Sequence, residues 1–180
     1  MDSDAGAVLV KLARAAIVAG CRGDNAALDI PDADWLAAPG ASFVTLTVQG
    51  RLRGCIGSLT AHRALGADVV ANARNAAFRD PRFAPVTAPD ELEIEVSVLS
   101  QPVDYAFGSK QEALAGLRPG VDGVILTAGH HRATFLPQVW EELPDPADFI
   151  AHLLRKAGLP ASYWGPDVRL QRYTVTAFHE

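Results

Sequence analysis

Between Ser42 and Ile56 the chain alternates apolar and polar side chains, turns at Gly50 and returns. Val44, Leu46 and Val48 mark one face; Phe43, Thr45, Thr47 and Gln49 mark the other. A period of two with a glycine near the midpoint predicts a half-buried β-hairpin. A second run, Glu91 to Leu99, alternates as strictly, with Leu92, Ile94, Val96 and Val98 against Glu91, Glu93, Glu95 and Ser97. Strands with one apolar face need a second layer to bury it. Helical spacing supplies that layer. Residues 4–19 read as an amphipathic helix capped by Ser3, and residues 61–79 as a helix capped by Thr60 and ended by Asp80-Pro81. Ser109 to Glu112 is a capping box opening a helix that runs to Leu117. Asp145-Pro146 opens another, with Phe149, Ile150, Leu153, Leu154 and Ala157 on its buried face and Gly158 at its end. Two more strands, Val124–Thr127 and Arg132–Leu136, flank the Gly129-His130 turn, and residues 168–178 read as a closing strand. Residues 24–40 read as a long connecting loop. The resulting order predicts an α+β fold with largely antiparallel strands and disfavours a doubly wound nucleotide fold.

Composition narrows the class. The chain has 180 residues, 49% apolar and 21% charged, which fits a folded domain and excludes a mainly disordered one. Sixteen basic against 21 acidic residues give a net charge of −5, which argues against a dedicated binder of nucleic acid or anionic membrane. No apolar run approaches the roughly 18 residues of a membrane span. The first residues, Met1-Asp2-Ser3-Asp4, lack the basic start of a secretory signal. With two cysteines, Cys21 and Cys55, and no CxxC, a cytoplasmic location is expected rather than a disulfide framework.

The segment that invites chemistry is Leu52-Arg53-Gly54-Cys55-Ile56-Gly57. Gly54 and Gly57 frame a thiol and permit close approach of a ligand or of a second stretch of backbone. Simple alternation puts Arg51, Arg53 and Cys55 on one face, where guanidinium charge would favour the thiolate. The same cysteine also reads as a small buried strand residue. His62, at the start of the following helix, is a candidate base. Glu95 is a candidate acid or base, with Ser97 beyond it on the same face. Arg74, Arg79 and Arg82 read either as a cationic helix end or, with Arg53, as an anion pocket. No HExxH or CxxC pattern points to a metal, and no cofactor is called for.

Those residues resemble a known family. Leu52-Arg53-Gly54-Cys55-Ile56-Gly57 looks like the hallmark of the AMMECR-one domain family. Ala76-Ala77-Phe78-Arg79-Asp80-Pro81-Arg82-Phe83 is similar to its alanine-rich helix ending in Asp-x-Arg-Phe, and Glu95-Val96-Ser97-Val98-Leu99 to its central strand. Gly120-Val121-Asp122-Gly123-Val124 looks like its Gly-x-x-Gly turn, although some relatives carry histidine at the position of Asp122. Thr134-Phe135-Leu136-Pro137-Gln138-Val139 and Leu154-Arg155-Lys156-Ala157-Gly158-Leu159 complete a match from Phe43 to Phe178. The resemblance implies one domain over residues 1–180, with 1–41 as N-terminal helix and connector and 42–180 as the matching region. It implies antiparallel sheets in two unequal lobes, the larger using both chain ends, with the cleft between them as the usual site. It further implies a bacterial member of the kind found with Memo-like and radical-SAM proteins.

Two functions stand side by side. In one, Cys55 is a nucleophile, Glu95 or His62 handles protons, and Arg53, Gly54, Gly57, Arg82 and Ser97 bind a small anionic substrate. In the other, the chain is a non-catalytic module that binds a protein partner or metabolite. A nucleic-acid role through the arginines is a weaker third.

Overall fold

The computed structural model describes residues 3–24 and 26–180. The chain divides into two compact units, one of residues 1–99 and 176–180, the other of residues 100–175, so both chain ends build the larger unit.

The larger unit begins with α1, Ser3–Cys21, whose Leu9, Ala13, Ala16 and Ile17 are fully buried. The cap expected from Ser3 rests on a side chain outside the described residues. The connector is less of a loop than expected. Asp34–Ala37 forms a short helix, α2, that buries Leu36, and the first strand, β1, already starts at Pro39 and runs to Val48. A two-residue turn at Gln49 and Gly50, both with positive φ, leads into β2, Arg51–Gly57. Arg63–Ala64 then pairs with the start of β1 as a short strand, β3. That pairing delays the next helix, α3, which spans Leu65–Phe78 rather than starting at residue 61, with Ala64 and not Thr60 at its N-cap. After a 3-10 turn at Pro89–Glu91 comes β4, Glu93–Leu99.

In the smaller unit, β5 is Val103–Tyr105, and α4, Lys110–Ala115, is capped by Ser109, whose hydroxyl accepts from the Glu112 N–H. β6, Gly123–Ala128, and β7, His131–Phe135, form the expected hairpin. Helix α5, Pro146–Lys156, is capped by the Asp145 carboxylate. The closing segment is two strands, not one. β8, Val168–Tyr173, stays in the smaller unit's sheet, while β9, Val175–His179, joins the larger unit's.

The larger sheet has the order β2-β1-β4-β9, with β3 on β1; the smaller has the order β5-β8-β6-β7. The strand pairs β1–β2, β1–β4, β5–β8, β6–β7 and β6–β8 are all antiparallel, as expected of an α+β fold. In the larger unit Val44, Leu46, Ile94 and Val96 bury against α1 and α3 in an aliphatic core. The opposite sheet face carries Thr45, Thr47, Glu93, Glu95 and Ser97. The smaller core is aromatic: the Trp140 and Phe149 rings stack at 3.7 Å and 5° beside Leu153, Leu154 and Leu170.

Candidate functional site

The register of the larger sheet assembles the site. Cys55 on β2 pairs with Thr45 on β1, and Thr45 pairs with Glu95 on β4. Side chains directly opposite each other share a face, so thiol, hydroxyl and carboxylate form one row across three strands. The Thr45 Oγ1 lies 3.4 Å from the Cys55 Sγ. Two strand spacings put the Cα atoms of Cys55 and Glu95 about 10 Å apart. The next row holds Gly57, Phe43 and Ser97, and the Ser97 hydroxyl donates to Glu95 Oε1 at 3.0 Å. His179 on β9 brings its Nδ1 to 3.5 Å from Glu95 Oε2. The sequence reading passed over Thr45 and His179; the alternation placed Thr45 on the right face, but nothing local announced that β9 would lie beside β4.

The alternation that put Arg51, Arg53 and Cys55 on one face fails. Leu46 pairs with Gly54 and Thr47 with Leu52, which leaves Arg53 as an extra residue in a β-bulge. A bulge shifts the side-chain phase by one, so Cys55 shares its face with Leu52. Arg53 instead reaches the segment after α3, with its guanidinium 6.0 Å from the Phe83 ring centroid and its Nη2 3.4 Å from the Pro85 carbonyl oxygen.

The Arg82 guanidinium also lies near the same ring, 5.3 Å from its centroid, and is held by Asp80. Its Nε and Nη2 donate to the two Asp80 carboxylate oxygens at 3.0 and 2.7 Å. Asp80 Oδ2 also accepts from the Cys55 N–H at 3.0 Å, and Arg82 Nη2 donates to the Cys55 carbonyl at 3.3 Å. β2 is a sheet edge, whose outward N–H and C=O groups would otherwise go unpaired. Asp80 and Arg82 satisfy both groups of Cys55. Hydrogen bonding from the Arg82 side chain, followed by that from the Cys55 N–H, holds the Asp80 carboxyl well below the usual carboxylate range, against the opposing push of burial. Arg82 is correspondingly raised, first by its hydrogen bond to Asp80.

The two framing glycines meet protein. A Cβ on Gly54 would collide with the Ala76 carbonyl oxygen of α3, and one on Gly57 with the Phe43 ring. Absence of a side chain at these positions lets α3 and Phe43 close on the motif strand. His62 lies elsewhere: its neighbour Arg63 pairs with Gly40, about 16 Å along β1 from Thr45. Its Nδ1 is 2.9 Å from the Thr60 carbonyl oxygen. Arg74 and Arg79 separate from Arg53 and Arg82, and with Arg63 they line a different cavity of about 790 Å³ between α3 and the connector. Cys21 is held at 3.5 Å from the Val86 carbonyl, and burial raises its pKa.

A buried network missed by the sequence reading fixes the start of β1. Asp68 on α3 is fully buried and accepts from Ser42 N–H and Oγ, Ser58 Oγ, Arg63 Nε and Asn72 Nδ2, all within 2.7–2.9 Å. Single residues such as Asp68 and Ser42 gave no signal, because their pairing spans 26 positions.

Two antiparallel sheets, each with helices packed on one face, and a glycine-tight edge strand clamped by the end of α3 define the class. The chain belongs to the AMMECR1 family, whose model matches residues 10–178 and so reaches back into α1. A protein of Methanothermobacter thermautotrophicus is 38% identical over all of this chain and 96% of its own length. One of Methanopyrus kandleri is 36% identical over 97% of this chain and 88% of its own. The crystal structure of an uncharacterized protein from Pyrococcus horikoshii superposes with a TM-score of 0.82 at 33% identity, covering 100% of this chain and 93% of that one. These relatives are archaeal, so they lend no support to the bacterial origin implied by the resemblance. Among the described residues no helix is long and apolar enough to cross a membrane.

Proposed function

We propose that the chain is a binding module whose working surface is the polar face of the larger sheet, around Cys55, Thr45, Glu95 and Ser97. The supporting observation is how the motif strand is held. Asp80 and Arg82 engage the backbone of Cys55, the Arg82 charge is matched by Asp80, and the thiol's hydrogen-bond partner is the Thr45 hydroxyl. That arrangement immobilises the thiol and supplies it with a neutral neighbour rather than a base. A rigid row of thiol, hydroxyl and carboxylate offers acceptors at fixed spacing to a polar metabolite, at little ordering cost on binding. The Memo-like and radical-SAM proteins implied by the family resemblance are the proposed companions in its pathway.

One observation favours a second reading, a cysteine-dependent enzyme. Glu95 and His179 form an acid–base pair in the row that contains Cys55. A substrate lying across Thr45 would touch the thiol on one side and the pair on the other.

Site-resolved alkylation of Cys55 against pH separates the two, with Cys21 followed in the same sample. The binding reading expects a rate that rises until pH passes the ordinary thiol value of about 8.5. A rate that is fast and already level well below that pH would replace it with the enzyme.

A further inference from the structure

The smaller unit carries a cavity of about 1020 Å³ where the sheet opens beyond the end of β5. Tyr105 is the last residue of β5 paired to β8, opposite Leu170. The chain then leaves the sheet through Ala106, Phe107 and Gly108, while β8 extends two residues further back, to Val168. The notch so formed is walled by Tyr105, Phe107 and Trp164, each half-buried and packed against the unit's aromatic core. Phe107 and Trp164 meet at 5.4 Å with a 46° tilt, and Phe107 lies 6.0 Å from Tyr105. Lys110 and Arg169 also line the cavity. Its size is at the upper end of the roughly 300–1,000 Å³ typical of small-molecule sites.

Three aromatic walls suit two ligand classes, a cation held by ring faces or a flat ring that stacks on them. The protein's own cations decide between them. Lys110 Nζ lies 5.7 Å from the Trp164 ring centroid, and the Arg172 guanidinium lies 4.1 Å from that of Tyr105. A cationic ligand would meet the charge of Lys110 at the Trp164 ring and that of Arg169 in the same lining, whereas Arg172 lies outside the lining and is paired with Asp122. The carboxylate in the lining, Asp104, already accepts from Gln171 Nε2 at 2.9 Å. Arg169 is braced by its Nη1, which donates to the Pro166 and Val168 carbonyls at 2.9 and 3.0 Å. Its remaining N–H groups are enough for a bidentate contact with an oxyanion.

We propose that this notch is a binding site for a flat aromatic ring carrying an anionic group, of the size and chemistry of a nucleoside monophosphate. The ring stacks among Phe107, Trp164 and Tyr105, and Lys110 and Arg169 take the anion. The site lies on the smaller unit's sheet, and the reading of the Cys55 row does not depend on it.

The test is calorimetric titration of the full chain at low salt with four probes. These are adenosine 5′-monophosphate, adenosine (ring without anion), ribose 5-phosphate (anion without ring) and tetramethylammonium. Saturable binding of the monophosphate is expected, about tenfold weaker for either half alone, with no binding of tetramethylammonium. Lys110→Gln with Arg169→Gln removes both charges outside the unit's buried core and is expected to weaken the monophosphate at least about tenfold without altering the circular dichroism spectrum. Trp164→Phe, which keeps a ring, is expected to retain binding, and Trp164→Ala to lose it. No saturable heat from the monophosphate up to about 10 mM, binding unchanged by the double substitution, or preference for tetramethylammonium would each overturn the proposal.

Discussion

The two units solve the same packing problem with different materials. Six of the seven buried polar or charged residues among those described lie in the larger unit: Ser42, Ser58, Asp68, Asn72, Asp80 and Ser97. The smaller unit has only Asp122 in that group, held by Arg118 and accepting the Trp140 indole N–H through its backbone carbonyl. Its cohesion comes from stacked rings and leucines. Apolar packing is non-directional and tolerates substitutions of similar volume, whereas a buried hydrogen-bond network accepts one geometry. The larger unit therefore spends directional interactions on the strands that carry Cys55, Thr45 and Glu95. The smaller unit's rings both fill its core and wall its notch.

The sharpest way to break this contrast is to remove one element from each side. Asp68→Ala strands the donors of Ser42, Ser58 and Asn72 in a buried setting and unpairs the part-exposed Arg63, and is expected to cost about 3–5 kcal/mol. Phe149→Ala removes the ring stacked on Trp140 and is expected to cost a similar 3–5 kcal/mol. Denaturant unfolding read by hydrogen exchange distinguishes them by location. The first change should release protection in β1 and α3, the second in β6 and α5. Release in the opposite unit in either case would dissolve the distinction.

Gly54→Ala comes next. The new methyl meets the Ala76 carbonyl, so α3 or β2 must shift, at an expected cost of about 1–3 kcal/mol. It should also speed alkylation of Cys55, because β2 loosens. Unchanged stability would show that the close approach of α3 is not what requires glycine there.

The smallest effect is in acid. Asp80 has a folded-state pKa below its unfolded value of about 3.9, so its contribution is fully present above that pH. Below it the unfolded chain binds the proton first, and the contribution fades as pH falls toward the folded value. Asp80→Asn should therefore flatten the decline of stability below about pH 4, measured by urea midpoints across that range. An equally steep decline in the variant would mean that other carboxylates carry it.

Much of the fold was legible because its signals are local. The two faces of β4, the capping of α4 by Ser109 and of α5 by Asp145, and the turn at Gly50 each depend on residues a few positions apart. The site was legible only in part. Alternation put Glu95 and Ser97 on one face, but could not show that Cys55 would reach that face, because the bulge at Arg53 reverses the phase of β2. The span 168–178 read as one strand because alternation runs through it, yet the chain changes sheets around Thr174. The arginines near the end of α3 looked like one cluster. The fold parts them, sending Arg53 and Arg82 to Phe83 and leaving Arg74 and Arg79 on another cavity.

What the chain's sequence determined by itself is most of the strands and helices, their apolar faces and the family they spell, since periodicity and capping act over one or two turns of backbone; the short elements α2, β3 and β5 and the division of β8 from β9 were not among them. Only the tertiary structure decided that Cys55, Thr45, Glu95 and His179 share a row, and that Asp80 and Arg82 close the edge of β2. Those pairings join residues far apart in the chain. They are selected by which arrangement buries the apolar faces while pairing the backbone of Cys55 and the buried carboxylates of Asp68 and Asp80.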